Sequence, residues 1–212
     1  MNSNKSPDDL QINLMFPTFL GEQTYPDYAS IKDQLVQRIQ DIRAEDEQGR
    51  KASEQYYSNG YTSFYTLNAL HHDPAFAVLT RFLHDQARQY AMKQSWDTER
   101  CKIAMSSMWC SINGRNSFHE QHLHPFSHIS GVFYVSCRPD SGCIYFKDPR
   151  SARWMIPPPV SKNLPENTLI IRINPVEGVL LLFPSFMEHG VDINNTDTDR
   201  ISISFNFEIQ PA

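Results

Sequence analysis

The last strand-like run of the chain, RISISFNFEI from Arg200 to Ile209, alternates without a break. Ile201, Ile203, Phe205, Phe207 and Ile209 fall on one face, and Arg200, Ser202, Ser204, Asn206 and Glu208 on the other. A period of two sustained over this length marks a β-strand with one face in a core, and it cannot form the apolar stripe of a helix. Further strand-like runs precede it, all after Trp96: KIAMSSMWCSI, ISGVFYVS, GCIYF, NTLIIRI and GVLLLF. The polar face of the last run constrains the fold again. Turned to bulk water it makes an ordinary half-buried strand. Turned into a barrel, it has Arg200 and Ser204 offer a fork of donors and a hydroxyl to an anionic guest.

Ahead of Trp96 the hydrophobic period is helical. From Pro26 to about Ala44, the residues Ile31, Leu35, Ile39 and Ile42 recur at helical spacing, which predicts one amphipathic helix packed on something larger. A polar segment with Tyr56, Tyr57, Tyr61, Phe64 and Tyr65 follows. Asp73 and Pro74 then stand at the cap and first turn of a second helix, whose stripe is Leu79, Leu83, Ala87 and Tyr90. Residues 1 to about 12 are polar and expected to be loose, and LMFPTF is the first apolar anchor.

Helices first and strands after is an α+β order, with helices covering one face of an antiparallel sheet. Six to eight strands of this kind suit a jelly roll or a similar double-sheet barrel. The expectation is one domain over 1–212, with 1–96 mainly a helical cover and 97–212 the jelly-roll core. GR, RPDSG and NNTDTD read as turns. The longer PRSARWMIPPPVSKNLPEN is too polar and proline-rich for core, and 149–166 is read as a lid over a site.

At 212 residues with 40% hydrophobic content, the chain can bury a sizeable core, which excludes disorder as its main state. A net charge of −5 without clustered Lys/Arg argues against nucleic acid or an anionic membrane surface as partner, and leaves small molecules or proteins. No run approaches the roughly 18 apolar residues of a spanning helix, and MNSNKSPDDLQ has no signal-peptide character, so a cytoplasmic location is expected. Cys101, Cys110, Cys137 and Cys143 show no CxxC spacing and read as reduced thiols. The oligomeric state stays open, a homodimer among the options.

Four of the eight histidines crowd into HEQHLHPFSH, as His119, His122, His124 and His128, while His189 lies far downstream in FPSFMEHGV. On a strand, i and i+2 share a face, so His122 and His124 can address one ion where Pro125 ends the strand. His189, from a neighbouring strand, is the third candidate. Histidines on one face of an octahedron, with the remaining positions open, are the arrangement of non-haem Fe(II). The plain alternative is an incidental surface pair and a hydrogen-bonded core histidine.

The order HLHPFSHISGVFYV, GCIYFKDPR, GVLLLFPSFMEHGV, DRISISFNF resembles the small bacterial 2OG-Fe(II) oxygenase family, related to the prolyl-hydroxylase-like Fe(II)/2-oxoglutarate-dependent oxygenases. LMFPTF near the start and SNGYTSFYTL before the second helix extend the resemblance over nearly the whole chain. It implies a double-stranded β-helix with iron at one mouth, 2-oxoglutarate as cosubstrate and O2 as oxidant. By the same resemblance His122 and His189 are ligands, Arg200 binds the distal carboxylate of 2-oxoglutarate with help from Ser204 and Tyr134, and Trp109 and Asn113 are pocket walls. Core packing accounts equally well for Trp109.

One departure stands out. Where the wider superfamily places Asp or Glu, this chain has His124. Three arrangements follow: a three-histidine site, a two-histidine site completed by water or an anion, or a carboxylate such as Glu120 or Glu188 in its stead. Imidazole for carboxylate leaves the iron centre one charge more positive. The implied reaction is oxidative decarboxylation to succinate and CO2 coupled to hydroxylation of a small amino-acid-like or biosynthetic substrate, with desaturation or cyclisation as other outcomes. His128, Arg150 and Arg153, near the mouth or in the lid, hint at an anionic or amino-acid-like substrate. The rivals are a cupin-like three-histidine dioxygenase that needs no 2-oxoglutarate, a non-catalytic jelly-roll binding module, and a structural zinc protein. The last is disfavoured by the lack of thiolates near the histidines.

Overall fold

A computed structural model describes residues 10–57 and 59–211. Residues 1–9, most of the segment expected to be loose, lie outside the described residues.

The N-terminal part supplies β1 (Gly21–Thr24), α1 (Ala29–Glu45), α2 (Glu47–Tyr56), β2 (Gly60–Thr62) and α3 (Ala77–Lys93). Helix α1 forms as expected, burying Leu35, Ile39 and Ile42, with Arg43 in its last turn where the helix dipole favours a cation. A second helix starts directly after it, because Asp46 caps α2 by accepting from the Gly49 N–H at 2.8 Å. The Asp73–Pro74 cap is real, but it opens a single 3-10 turn, Pro74–Phe76, with Asp73 accepting from the Ala75 N–H. The α-helix itself begins at Ala77 and buries Leu79, Leu83, Ala87 and Tyr90.

The remaining strands are β3 (Cys101–Asn113), β4 (His119–His122), β5 (Ile129–Ser136), β6 (Ile144–Lys147), β7 (Ile170–Ile173), β8 (Val179–Pro184), β9 (His189–Val191) and β10 (Arg200–Pro211). They build two sheets of antiparallel neighbours. The larger runs β1-β8-β5-β10-β3-β2 and the smaller β4-β9-β6-β7. This is the expected α+β jelly roll, a double-stranded β-helix.

The question posed by β10 is answered by its two neighbouring layers. Ile201, Ile203, Phe205 and Phe207 join Leu35, Ile39, Phe76, Leu83 and Ala87 in a core between the large sheet and the helices. Arg200, Ser202 and Asn206 are buried as well, on the opposite face, inside the barrel. The apolar run of β8 splits in the same way: Leu180 and Leu182 turn to the helices, while Val179, Leu181 and Phe183 join Val132, Tyr134, Ile144, Phe146 and Met187 between the sheets. A strand buried on both faces reads as a continuous apolar run. Gly131 on β5 is required, since a Cβ there would run into the Phe205 ring and the Leu181 carbonyl.

The segment 149–166 has one 3-10 turn, Ser151–Trp154, and otherwise no helix or strand. Its base is clasped. The nearly buried Asp148 carboxylate takes Nε and Nη2 of Arg150 and Nη1 of Arg153, each at 2.9 Å, and Arg153 also donates to the carbonyls of Glu166 and Asn167. These two arginines therefore hold the loop rather than waiting for an anionic substrate. All four cysteines are unpaired. Among the described residues no helix is long and apolar enough to cross a membrane.

Candidate metal centre and active site

His122 ends β4 and His189 begins β9, and the two are direct partners in the antiparallel register. Beyond His122 the backbone stays tied to the neighbouring segment by the His124 N–H, which donates to the Ser185 carbonyl at 3.0 Å. His124 thus follows His122 at i+2, on the same side. The strand itself stops at His122, short of the expected end at Pro125, so His124 lies just beyond it, and Phe126 turns the chain away with a φ of +72°. Ring centroids lie 4.4 Å apart for His122 and His189, 5.1 Å for His122 and His124, and 5.2 Å for His124 and His189. Candidate ligand atoms of the three lie within 4.8 Å of one another.

Their protonation suits a cation. His189 Nδ1 bonds the Met187 carbonyl and His122 Nδ1 the Glu120 carbonyl, each at 2.8 Å. A carbonyl can only accept, so each Nδ1 carries the hydrogen and each Nε2 keeps a lone pair for a metal. Burial, followed by the neighbouring His122, pushes His189 down to about 3 and His124 down to about 4. His122 is lowered too, by burial, against the Glu120 carbonyl. All three are neutral at pH 7.

Neither alternative carboxylate joins them. Glu188 pairs with Lys147 at 3.0 Å and accepts from Gln121, while Glu120 is exposed and contributes only its carbonyl. Among the described residues no Asp or Glu lines the cavity into which the histidines face. His128 stays outside it, its Nδ1 accepting from the Ile209 N–H.

The same cavity holds Trp109, Asn113, Tyr134, Arg200 and Ser204, so the residues singled out from the sequence come together. Arg200 is 3% exposed, and its Nη1 donates to the carbonyls of Ser141 and Gly142 at 2.9 Å. Gly142 can present its carbonyl because it sits at φ +95°, a region that suits glycine. The Arg200 Nε has no partner, and among the described residues no carboxylate pairs with the guanidinium. Asn113 is completely buried. Its Nδ2 donates to Tyr57 Oη at 2.7 Å and Ser117 Oγ at 2.8 Å, while its Oδ1 has no partner. Burial holds the Tyr134 phenol well above its usual range, with Arg200 opposing, so it remains an O–H donor.

Several lining residues escaped the sequence reading. Ser202 lies between Arg200 and Ser204 on the inward face. At about 3.3 Å per residue it is roughly 7 Å along the strand from Arg200, against roughly 13 Å for Ser204, so Ser202 is the nearer hydroxyl. Its place in the alternation was the available signal. His119 sits 4.2 Å from the His122 ring and meets the edge of Tyr57 at 5.2 Å. Tyr57 comes from the end of α2, far away in sequence, and nothing local marked it.

A cavity that holds three neutral imidazoles together with a buried cation lacking a counter-ion fits a metal ion and an anion that reaches Arg200. Burying a guanidinium unpaired is costly by several kcal/mol, so the orphaned Nε is what a carboxylate would satisfy.

Residues 107–206 match the family described as "Putative 2OG-Fe(II) oxygenase". No curated protein sequence matches the chain. Among solved structures, a Pseudomonas putida prolyl-4-hydroxylase superimposes with a TM-score of 0.59 at 16% identity, covering 90% of this chain and 92% of that one. AviO1 from Streptomyces viridochromogenes Tue57 gives 0.59 at 10% identity over 92% and 91%. HygX from Streptomyces hygroscopicus, solved with nickel, 2-oxoglutarate and hygromycin B, gives 0.55 at 12% over 90% and 83%. These likenesses establish the fold, and the matched segment contains every histidine of the triad together with Arg200. The segment 107–206 is thus similar to the 2OG-Fe(II) oxygenase family, whose cofactor is iron and whose cosubstrate is 2-oxoglutarate.

Proposed function

We propose that this protein hydroxylates an unactivated C–H bond of a small substrate, consuming 2-oxoglutarate and O2 and releasing succinate and CO2. In this reading His122, His124 and His189 hold Fe(II). Arg200, with Tyr134, Asn113, Ser202 and Ser204, seats 2-oxoglutarate. The observation that carries it is the buried Arg200, without a counter-ion, in the same cavity as the three histidines.

Iron and 2-oxoglutarate, when bound, supply the activation of O2. The chain supplies the rest. Carbonyl bonds to Nδ1 of His122 and His189 fix both rings with Nε2 toward the metal. Arg200 and the protonated Tyr134 offer donors to the distal carboxylate, and the Phe146, Phe183 and Val132 side chains between the sheets keep bulk water from the inner wall. A set of imidazoles without a carboxylate leaves both charges of the metal to be balanced by its ligands, which suits a dianion.

We take the chain as one domain, with 1–96 the cover and 97–212 the core; its support is that the apolar stripes of α1 and α3 are buried on the large sheet. The four free thiols fit a cytoplasmic location.

Iron-loaded protein should convert 2-oxoglutarate to succinate slowly even without its substrate; His189→Ala should abolish this, and Arg200→Ala should move it to higher 2-oxoglutarate concentration. The all-histidine ligand set also favours a second reading, a dioxygenase independent of 2-oxoglutarate. O2 uptake by the iron-loaded protein with a substrate panel in the absence of 2-oxoglutarate would select it.

A further inference from the structure

We infer that the non-reacting part of the substrate is an uncharged ring or flat apolar group, and that it lies against an aromatic wall formed by Trp109 and Phe64 beside His124. The inference rests on the metal lying among His122, His124 and His189.

Rings run in series from the surface to the triad. Phe64 meets Tyr65 edge-on at 5.5 Å and Trp109 at 5.0 Å, and Trp109 stacks on His124 at 5.8 Å with 27° between the planes. His124 in turn stacks on His189 at 5.2 Å, within 7° of parallel. Trp109 is buried and lines the cavity, while Phe64 is 41% exposed and Tyr65 50%.

The mount under these rings is rigid. Buried Ser63 donates through Oγ to the Leu67 carbonyl at 2.8 Å, accepts from the Cys110 N–H, and bonds the Cys110 carbonyl through its own N–H at 3.0 Å. Thr66 donates to the buried Asp46 carboxylate at 2.5 Å. The turn is thus bolted to β3 and α2 by buried polar bonds while its two aromatic side chains stay half in solvent. A half-exposed Phe64 ring held stiffly against the cavity-lining Trp109, next to a reactive centre, is the form of a preorganised binding wall.

Charge selects the occupant. Among the described residues Arg200 is the only permanently charged side chain lining the cavity, and no carboxylate lines it. With 2-oxoglutarate balancing the metal and pairing Arg200, the lining has no carboxylate left for a substrate ammonium, whereas a neutral ring gains stacking and loses little solvation. Phe64 lies outside the family match at 107–206, so the wall joins a selectivity element from the N-terminal part to the shared machinery.

The test uses protein loaded anaerobically with Co(II), with and without 2-oxoglutarate, and a Zn(II)-loaded control. Benzyl alcohol and benzyltrimethylammonium are titrated, and paramagnetic broadening of their proton signals is measured. Benzyl alcohol should broaden saturably and the ammonium should not. Phe64→Ala should weaken benzyl alcohol binding at least fivefold while binding cobalt like the parent, and Trp109→Leu should weaken it further. Undiminished broadening in Phe64→Ala, or an ammonium that binds as well as the alcohol, overturns the inference. If benzyl alcohol broadens but 2-oxoglutarate leaves the cobalt spectrum unchanged, the wall stands and the oxygenase reading falls. If 2-oxoglutarate perturbs cobalt and benzyl alcohol does not broaden, the wall alone falls, and failure of cobalt to bind overturns both.

Discussion

Asn113 and Arg200 face each other across β3 and β10, and each keeps a buried polar atom without a partner, Oδ1 of the one and Nε of the other. Nearly all buried polar groups in folded proteins are hydrogen-bonded. Two orphans side by side in the cavity that also holds the histidines mark a place built for a ligand.

Arg200→Ala should raise the dissociation constant for 2-oxoglutarate at least tenfold in the iron-loaded protein and leave iron affinity unchanged, as read by anaerobic titration. 2-Oxobutyrate, which lacks the distal carboxylate, should bind parent and variant alike. Equal loss for both ligands would mean that Arg200 supports the fold and not the carboxylate.

Tyr57→Phe removes the hydroxyl that receives the Asn113 carboxamide. The expected effect is a few-fold weakening of 2-oxoglutarate binding with none for 2-oxobutyrate, because only the seat of the distal end is disturbed. Isothermal titration of the nickel-loaded protein with each ligand checks this.

His124 decides the ligand set. His124→Ala should weaken iron binding at least about tenfold, whereas His124→Asp should keep the metal, since a carboxylate is an ordinary ligand at such a centre. Equal iron affinity in parent and His124→Ala would remove His124 from the site.

Asp46 ties α2, β2 and the turn carrying Phe64 through bonds from Gly49, Tyr61 and Thr66. Burial alone would raise its pKa, but the bonds from Thr66, Gly49 and Tyr61, with Arg50 nearby, outweigh it and hold the carboxyl below its ordinary 3.8. Asp46→Asn should cost about 2 to 4 kcal/mol at pH 7 in urea unfolding, within the range for breaking a buried network. A depressed folded pKa contributes stability above 3.8 that is lost as pH falls through the folded value. The gap between parent and variant should therefore narrow below that pH, and a constant gap would show that Asp46 does not titrate as argued.

Releasing the clasp should free the long loop. Asp148→Asn leaves Arg150 and Arg153 without their shared carboxylate, and cleavage within 149–166 by a dilute protease should quicken several-fold with little change in melting temperature. An unchanged cleavage rate would mean that the Arg153 bonds to Glu166 and Asn167 suffice.

Much of the fold was legible because strict alternation or a short apolar run marks a strand. The six runs read from the sequence are β3, β5, β6, β7, β8 and β10, and both stripes on α1 and α3 are buried as expected. The strands that gave no apolar run, β1, β2, β4 and β9, read GEQT, GYT, HEQH and HGV, and lack the apolar residues that marked β6 and β7 at four residues each. Two of them carry His122 and His189, which showed instead through residue type and the HxH spacing. Helix α2 was hidden because its residues, EQGRKASEQY, are almost wholly polar and it stands on the Asp46 cap. Tyr57 and His119 could not be placed from local sequence, since their roles come from the contact of Tyr57, just past α2, with His119 on β4. Arg150 and Arg153 misled because an arginine reads the same whether it awaits a substrate or a carboxylate two to five residues away.

The central claim is that one cavity holds the metal and the dianion together, and an anaerobic titration of apo protein with Fe(II) and then 2-oxoglutarate tests it most directly. A weak visible charge-transfer band that needs both components, and that Arg200→Ala shifts to higher 2-oxoglutarate concentration, is the predicted result. Iron that binds with no spectral response to 2-oxoglutarate would contradict the account.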